Sequence, residues 1–425
     1  MNYKILHISP HLGGGVGKVL LNYLKNTKSN NEYSHNIFCL DFINDNAKNI
    51  LDTEMIPYKE EISKNIKLLI DTIEFSDIVV IHWWNHPLLF ELLVKYKLPS
   101  CRLIFWSHVS GKQVPQIFSH KLFDYADKFI FTTPISFLTK EAETYKNQEK
   151  LSSIWATAGI DYVENIEKKE HKEFNIGYIG TLDFSKMYSN FIELCSKINI
   201  PNVKFIVCGE GCDKNKLIQQ TKDLKIEDKF IFTGFVDDIT PYLEIIDIFA
   251  YPLNQNHYGT CDQVLVEAMG VGIPCIVFEN DMERYMIHNS YNGFVVKNEK
   301  EYVSSIENLY QNNVYKRILE KNAKESTKQK YNIQYLEKEW NETFSNILNF
   351  PKTKKQWFGK FSGKKVQGFE IFLESIGNYS EIFETNNSTT IQNLLKEPNW
   401  SSNTKGTPKH YKRFFNDTTL EKWSN

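Results

Sequence analysis

Short apolar runs alternate with helical patterns along most of the chain, and the alternation starts twice. YKILHIS (3–9) predicts a buried strand. The turn HLGGG follows, and VGKVLLNYLK (16–25) carries an apolar stripe at 16, 19, 20, 23 and 24 that predicts a helix. HNIFCLDF, DIVVIHW, RLIFWSH and KFIFTT predict further strands, with a helix over 62–74. Near 174 the pattern begins again. FNIGYIG, VKFIVCGEG, FIFTGFV and DIFAYP predict strands, and YSNFIELCSKI, KNKLIQQTKDL and ITPYLEII predict the helices between them. Two tandem βα series of this kind imply an α/β fold with two Rossmann-like parallel sheets, each covered by helices on both faces.

The charged, weakly patterned stretch within 157–173 reads as a solvated linker. The expected division is a first domain over 1–165 and a second over 166–335, then an amphipathic helix over 331–348 and an extension over 351–425. That extension opens with PKTKKQWFGKFSGKK, six lysines and no acid, interleaved with Trp357, Phe358 and Phe361. Lysines among aromatics over 352–365 suit peripheral contact with an anionic membrane; a packed appendage with a solvated basic rim is the alternative.

At 425 residues with 41% apolar and 14% aromatic content, the chain can bury large cores. A net charge of −2 shows no global bias toward nucleic acid, which is not expected as a partner. Seven scattered cysteines without a C-x-x-C pair or zinc spacing predict no metal site and a reducing compartment. The N-terminus lacks a signal-peptide pattern and no stretch reaches the length of a membrane span. The expected location is the cytoplasm, including the inner face of the membrane.

Open parallel sheets bind ligands at the carboxyl ends of strands, where glycine turns and helix starts present N–H groups to an anion. GGGVGK (13–18) is such a turn, and Gly13, Gly14 and Gly15 are candidate phosphate neighbours. It departs from a Walker A loop at Leu12 and Val19 and from the strict dinucleotide fingerprint; Asp41, ending the second strand, keeps an NAD(P)-dependent oxidoreductase as an alternative. In GTLDFSKM (180–187), Gly180 permits close backbone approach, and Lys186 is either a point charge for a diphosphate or a solvated lysine. HYGTCDQVLVEAMGVGIPCIVF (257–278) supplies a third site. There the backbone of Thr260, Cys261, Asp262 and Gln263 opens a helix, and Glu267 lies about a turn and a half further in. Its carboxylate can accept hydrogen bonds from the vicinal hydroxyls of a ribose; otherwise it is an exposed helix residue.

GYIGTLDFSK, FIVCGEG, FTGFVDDITPYLEIIDIFAYPL and VLVEAMGVGIPCIVF together resemble the retaining GT-B glycosyltransferases of family 4, over about 1–348. The resemblance implies two Rossmann-like domains facing a cleft, with a helix (336–350) crossing back to the first. A nucleoside diphosphate sugar, UDP- or GDP-linked, would be held mainly by the second domain, with no further cofactor. Glu267 matches the second glutamate of the E-x7-E motif, which holds the ribose. Lys186 matches the diphosphate lysine, and Gly13 to Gly15 the loop beside the phosphates. Phe235 and Val236 match the loop bordering the base, and His108 a histidine near the transferred sugar. His108 also fits an ordinary core histidine.

Two positions depart from the pattern: Gly259 stands where the first motif glutamate is expected and Thr181 where an arginine is. Asp262 is the nearest replacement acid, as a helix cap or a sugar contact. The candidate catalytic set is therefore His108, Lys186 and Asp262. The donor-binding set adds Gly13, Gly14, Gly15, Gly180, Thr181, Gly209, Phe235, Val236, Gly259, Thr260, Cys261, Gln263 and Glu267. The resemblance implies retention, with a glycan, lipid-linked or protein acceptor. No Asp-x-Asp is present, so stabilisation of the leaving group without a metal is expected. A nucleotide-sugar-binding subunit without catalysis is the other reading.

Overall fold

The computed structural model describes residues 2–28, 32–146, 148–385 and 387–424. The chain divides into two compact units, Met1–Ala158 with Gln334–Asn425, and Gly159–Ile333. In the first unit the strands are β1 (Tyr3–Ser9), β2 (Tyr33–Cys39), β3 (Tyr58–Lys59), β4 (Ile78–Trp83) and β5 (Leu103–Ser107). A short antiparallel pair, β6 (Lys112–Gln113) and β7 (Gln116–Ile117), precedes β8 (Lys128–Phe131) and β9 (Leu151–Ser153). The sheet order is β3-β2-β1-β4-β5-β8-β9, parallel throughout. The second unit holds β10 (Phe174–Ile179), β11 (Val203–Cys208), β12 (Phe230–Gly234), β13 (Ile248–Tyr251), β14 (Cys275–Phe278) and β15 (Gly293–Val296). Their order is β12-β11-β10-β13-β14-β15, again parallel. Both sheets are thus doubly wound, as the two sequence series require.

The direction of winding reverses between β1 and β4 in one unit and between β10 and β13 in the other. Crossovers depart to opposite faces at such a point, leaving a crevice beyond the strand ends. The loops opening there are 10–13 and 84–86 in the first unit and 180–190 and 252–262 in the second.

Strands covered on both faces are buried along their length and mostly apolar: every residue of β4 is buried. The helix Ile333–Leu348 buries Leu336, Trp340, Phe344 and Ile347, a stripe at helical spacing. Within the first unit, the Trp340 ring lies 4.8 Å from that of Trp106 and Phe344 5.3 Å from Tyr33.

The segment beyond 351 is part of the first unit's core. Lys355 is buried on Asp127 at 2.6 Å, and Phe358 packs on Phe90 and Tyr125, so neither belongs to a free basic-aromatic face. Asn85 is buried where three stretches of chain meet. Its Nδ2 donates to the Pro115 carbonyl (2.8 Å) and Ser375 Oγ (3.2 Å), and its Oδ1 accepts from the Tyr411 hydroxyl at 2.8 Å. Trp400, Trp423, Phe372 and Phe383 pack together above it. All seven cysteines are free. Among the described residues no helix is long and apolar enough to cross a membrane.

Candidate functional site

In the second unit the loops after β10 and β13 are stitched together at the switch point. Asn254 donates its backbone N–H to the Lys186 carbonyl (2.9 Å) and Tyr188 donates to that of Pro252 (3.1 Å). This stitching brings Lys186 onto Asp262 as a buried ion pair, with the ammonium also 5.8 Å from the Tyr251 ring centre. Burial alone would lower the Lys186 pKa, but Asp262 and the neighbouring Tyr258 outweigh it and raise the pKa above its ordinary value. Lys186 is therefore neither a solvated lysine nor an isolated charge.

Asp262 immediately precedes the helix Gln263–Val271, yet its side chain makes no capping bond, so the cap reading fails. Oδ1 takes Lys186 and, at 3.4 Å, the Tyr251 hydroxyl, while the buried Oδ2 has no hydrogen-bond partner among the described residues. A buried carboxylate oxygen left without a donor costs free energy and marks a place where a ligand hydroxyl would be welcome.

Glu267 is 3% exposed, which rules out an ordinary surface position. The Tyr162 hydroxyl donates to Glu267 Oε1 at 2.5 Å, and Gln263 Nε2 donates to that hydroxyl at 2.9 Å. Burial and the adjacent carboxylate both push the Tyr162 pKa up, so it serves as a fixed donor. The tyrosine thus sets the orientation of the carboxylate.

Gly180 and Gly209 meet face to face. A Cβ at Gly209, whose φ is +145°, would lie 1.9 Å from the Gly180 carbonyl oxygen. Glycine at 209 is thus required for the two strand ends to approach. Tyr178 donates its hydroxyl to the Thr181 carbonyl (3.2 Å), fixing the turn where an arginine was expected. Phe235, at the end of β12, is 61% exposed, and Val236 beside it is half-buried. Thr260 is buried; Cys261 is half-buried and its thiol is pushed up to about 12 by burial, hence unreactive.

Gly259 explains its own departure from the motif. Its N–H donates to His257 Nδ1 at 3.0 Å, and a Cβ would lie 2.7 Å from that nitrogen. His257 Nε2 faces the wholly buried Glu283, 3.2 Å from Oε1. A histidine–glutamate pair thus stands where a side chain at 259 would go. Gly259→Ala is expected to destabilise the second unit by about 1–3 kcal/mol through this overlap, read as a lower unfolding midpoint; an unchanged midpoint would show that His257 moves aside freely.

In the first unit Gly14 and Gly15 open the helix Gly14–Thr27, both exposed and with open space where a Cβ would stand; Gly13 precedes them against Asn44. His11, just before this loop, packs against Trp84 (5.2 Å), and Trp84 against His108 (6.2 Å). The glycine loop and His108 therefore share the carboxyl edge of one sheet. His108 is half-buried, its Nε2 is 2.9 Å from His82 Nδ1, and burial lowers its pKa to about 3, so it is neutral near pH 7.

Residues 161–326 match the family model of glycosyl transferases group 1. The matched segment contains Lys186, Gly259, Asp262 and Glu267. Over 107 residues the chain is 27% identical to 2-deoxystreptamine N-acetyl-D-glucosaminyltransferase of Niallia circulans, covering 24% of this chain and 27% of that protein. Over 161 residues it is 26% identical to the O-antigen biosynthesis glycosyltransferase WclY of Escherichia coli, covering 35% and 44%. The chain thus spans well under two thirds of either relative. Among solved structures it is similar to Anabaena HepE in complex with UDP, with a TM-score of 0.63 at 18% identity, covering 81% of this chain and 100% of that one. The fold is GT-B.

The matched segment also holds residues that sequence reasoning missed. Tyr162, Tyr251, His257 and Glu283 lie in three different stretches, and only the fold shows that they surround Glu267 and Asp262. His257 was the one with a signal, two residues before the anomalous Gly259. Asp183, Cys212 and Asp213 are close enough together to hold a cation, but Asp213 is engaged by Lys216 (2.6 Å) and the Phe184 N–H (2.9 Å).

Proposed function

We propose that this protein transfers a sugar from a nucleoside diphosphate sugar to a hydroxyl of a glycan, lipid-linked or other acceptor, with retention and without a metal. The observation that carries the proposal is the second unit's switch point. There a buried lysine–aspartate pair lies on adjoining loops, and the helix that follows supplies its start and a buried, tyrosine-oriented glutamate. Each element answers one part of the donor. Glu267 accepts from the ribose hydroxyls. The first amides of the helix Gln263–Val271, with Lys186, meet the diphosphate. As the diphosphate draws Lys186 from Asp262, the carboxylate is released to accept a sugar hydroxyl. In this reading the Gly13–Gly15 loop serves the donor phosphates and His108 the transferred sugar.

Cleavage of the anomeric bond places negative charge on the departing diphosphate, and preorganised donors lower that barrier. With Asp262 assigned to a sugar hydroxyl, this reading has the acceptor attack on the face the diphosphate leaves. The match to group 1 glycosyl transferases and the likeness to a UDP-bound GT-B structure support the donor class. Absence of the first motif glutamate at Gly259 and of the arginine at Thr181 keeps a second reading open, a donor-binding subunit without turnover.

A thermal-shift screen against UDP- and GDP-sugars should raise the unfolding midpoint for one donor. Glu267→Ala should remove about 1–3 kcal/mol of that donor's binding, a loss of roughly ten- to a hundredfold in affinity. Proton NMR of the product should show the donor's anomeric configuration, and turnover should survive EDTA. An inverted product, or turnover lost to EDTA and restored by Mn²⁺, refutes the chemistry. Donor binding without hydrolysis or transfer selects the subunit reading.

A further inference from the structure

Four histidines of the first unit form one hydrogen-bonded row. His35 Nδ1 lies 2.9 Å from His7 Nε2, His7 Nδ1 lies 3.0 Å from His82 Nε2, and His82 Nδ1 lies 2.9 Å from His108 Nε2. The register of the parallel sheet dictates this row. His35 on β2 is opposite Ile5 on β1, and His7 is two residues further on. His7 is opposite Val80 on β4, and His82 is two further on. His82 is opposite Trp106 on β5, and His108 follows two later. Alternate residues share a face, so each step crosses one strand and climbs two residues toward the carboxyl edge.

Every link joins an Nε2 to an Nδ1, so the row has one polarity. A neutral imidazole has one donor and one acceptor nitrogen. If one ring donates through Nε2, every ring must, and His108 Nδ1 is then a bare acceptor. If one ring donates through Nδ1, every ring must, and His35 Nε2 is bare instead. The middle of the row is dry, with His7 1% and His82 0% exposed, while the end residues His35 and His108 are both partly exposed. Burial holds all four pKa values below the ordinary histidine value, so the resting row is uncharged near pH 7.

We propose that this row is a proton relay joining the carboxyl edge of the sheet at His108 to His35. A proton accepted at His108 Nδ1 releases the Nε2 proton to His82 Nδ1. His82 Nε2 passes its proton to His7 Nδ1, and His7 Nε2 passes its own to His35 Nδ1. The proton on His35 Nε2 leaves to water. One proton enters, one departs, and every ring ends neutral in the other tautomer. Resting on the transferase reading, the proton supplied is that of the acceptor hydroxyl. His108 is then the receiving base, and His82, His7 and His35 are positioning residues that act through it.

The full-length protein labelled with 15N-histidine decides the wiring without any turnover. Long-range 1H–15N spectra should show the four rings neutral and in a single shared tautomer. Two neighbouring rings in opposite tautomers, or an imidazolium within the row, overturn the relay. For the kinetic arm, His35→Phe should bind the donor with the parent thermal shift. Its kcat should fall at least about tenfold, with a changed solvent deuterium isotope effect and a donor KM within about twofold. A parental kcat and isotope effect overturn it. A parent protein with no transferase activity would defeat the enzyme reading alone, leaving the spectra to judge the row.

Discussion

Lys186→Met is expected to lower transfer by about two to three orders of magnitude and to cost the second unit about 3–5 kcal/mol of stability. The two losses have different origins. Transfer falls because the diphosphate loses its chief side-chain cation. Stability falls because Asp262 keeps a buried carboxylate with neither its ammonium nor, at Oδ2, any donor. A Lys186→Met, Asp262→Leu double variant removes the stranded charge and should recover most of the unfolding free energy while transfer stays low. Denaturant unfolding beside an initial-rate assay separates the two. A single variant as stable and as active as the parent would mean that the pair is idle in both roles.

Acid should unfold the first unit steeply between about pH 6 and pH 4. His7, His82 and His86 are buried with pKa values far below the ordinary histidine value, and His410 is lowered to about 3, in each case chiefly by burial. Below about pH 6.5 the unfolded chain takes up protons that the folded unit refuses. Stability therefore rises with pH across this window and is lost as pH falls through the unfolded value. Each such ring contributes at most about 1.4 kcal/mol per pH unit, so the four give roughly 5–6. Against a typical domain stability of about 5–15 kcal/mol, about one to three pH units suffice. Tryptophan fluorescence against pH tests this; a native signal persisting at pH 4 would contradict the neutral, buried state of these rings.

The strand pattern was legible because both sheets are covered on two faces, so their strands read as apolar runs bounded by turns. The same logic hid the two-residue β3 and the short β15, whose GFVV carries too few residues for a period. Lys186, Asp262 and Glu267 could be read from loop and helix-start chemistry, although their partners could not. The Tyr162 hydroxyl on Glu267 spans 105 positions, and Lys186 reaches Asp262 across 76. The histidine row escaped notice because each member sits alone in its own strand. Only register turns four separate residues into a line. In the tail, composition could not tell that Lys355 and Phe358 are spent on internal contacts while Trp357 and most of the lysines are not buried.

The second unit is one unbroken stretch, Gly159–Ile333, set between the two pieces of the first. Ribosomal synthesis therefore delivers β1 through β9 long before Trp340 and Tyr411, which cover Trp106 and saturate Asn85. The earliest part of the chain must wait, incomplete, while the later second unit is already fully synthesised. Premature termination between 334 and 411 would leave a complete second unit attached to an incomplete first one, a natural target for chaperones and proteases.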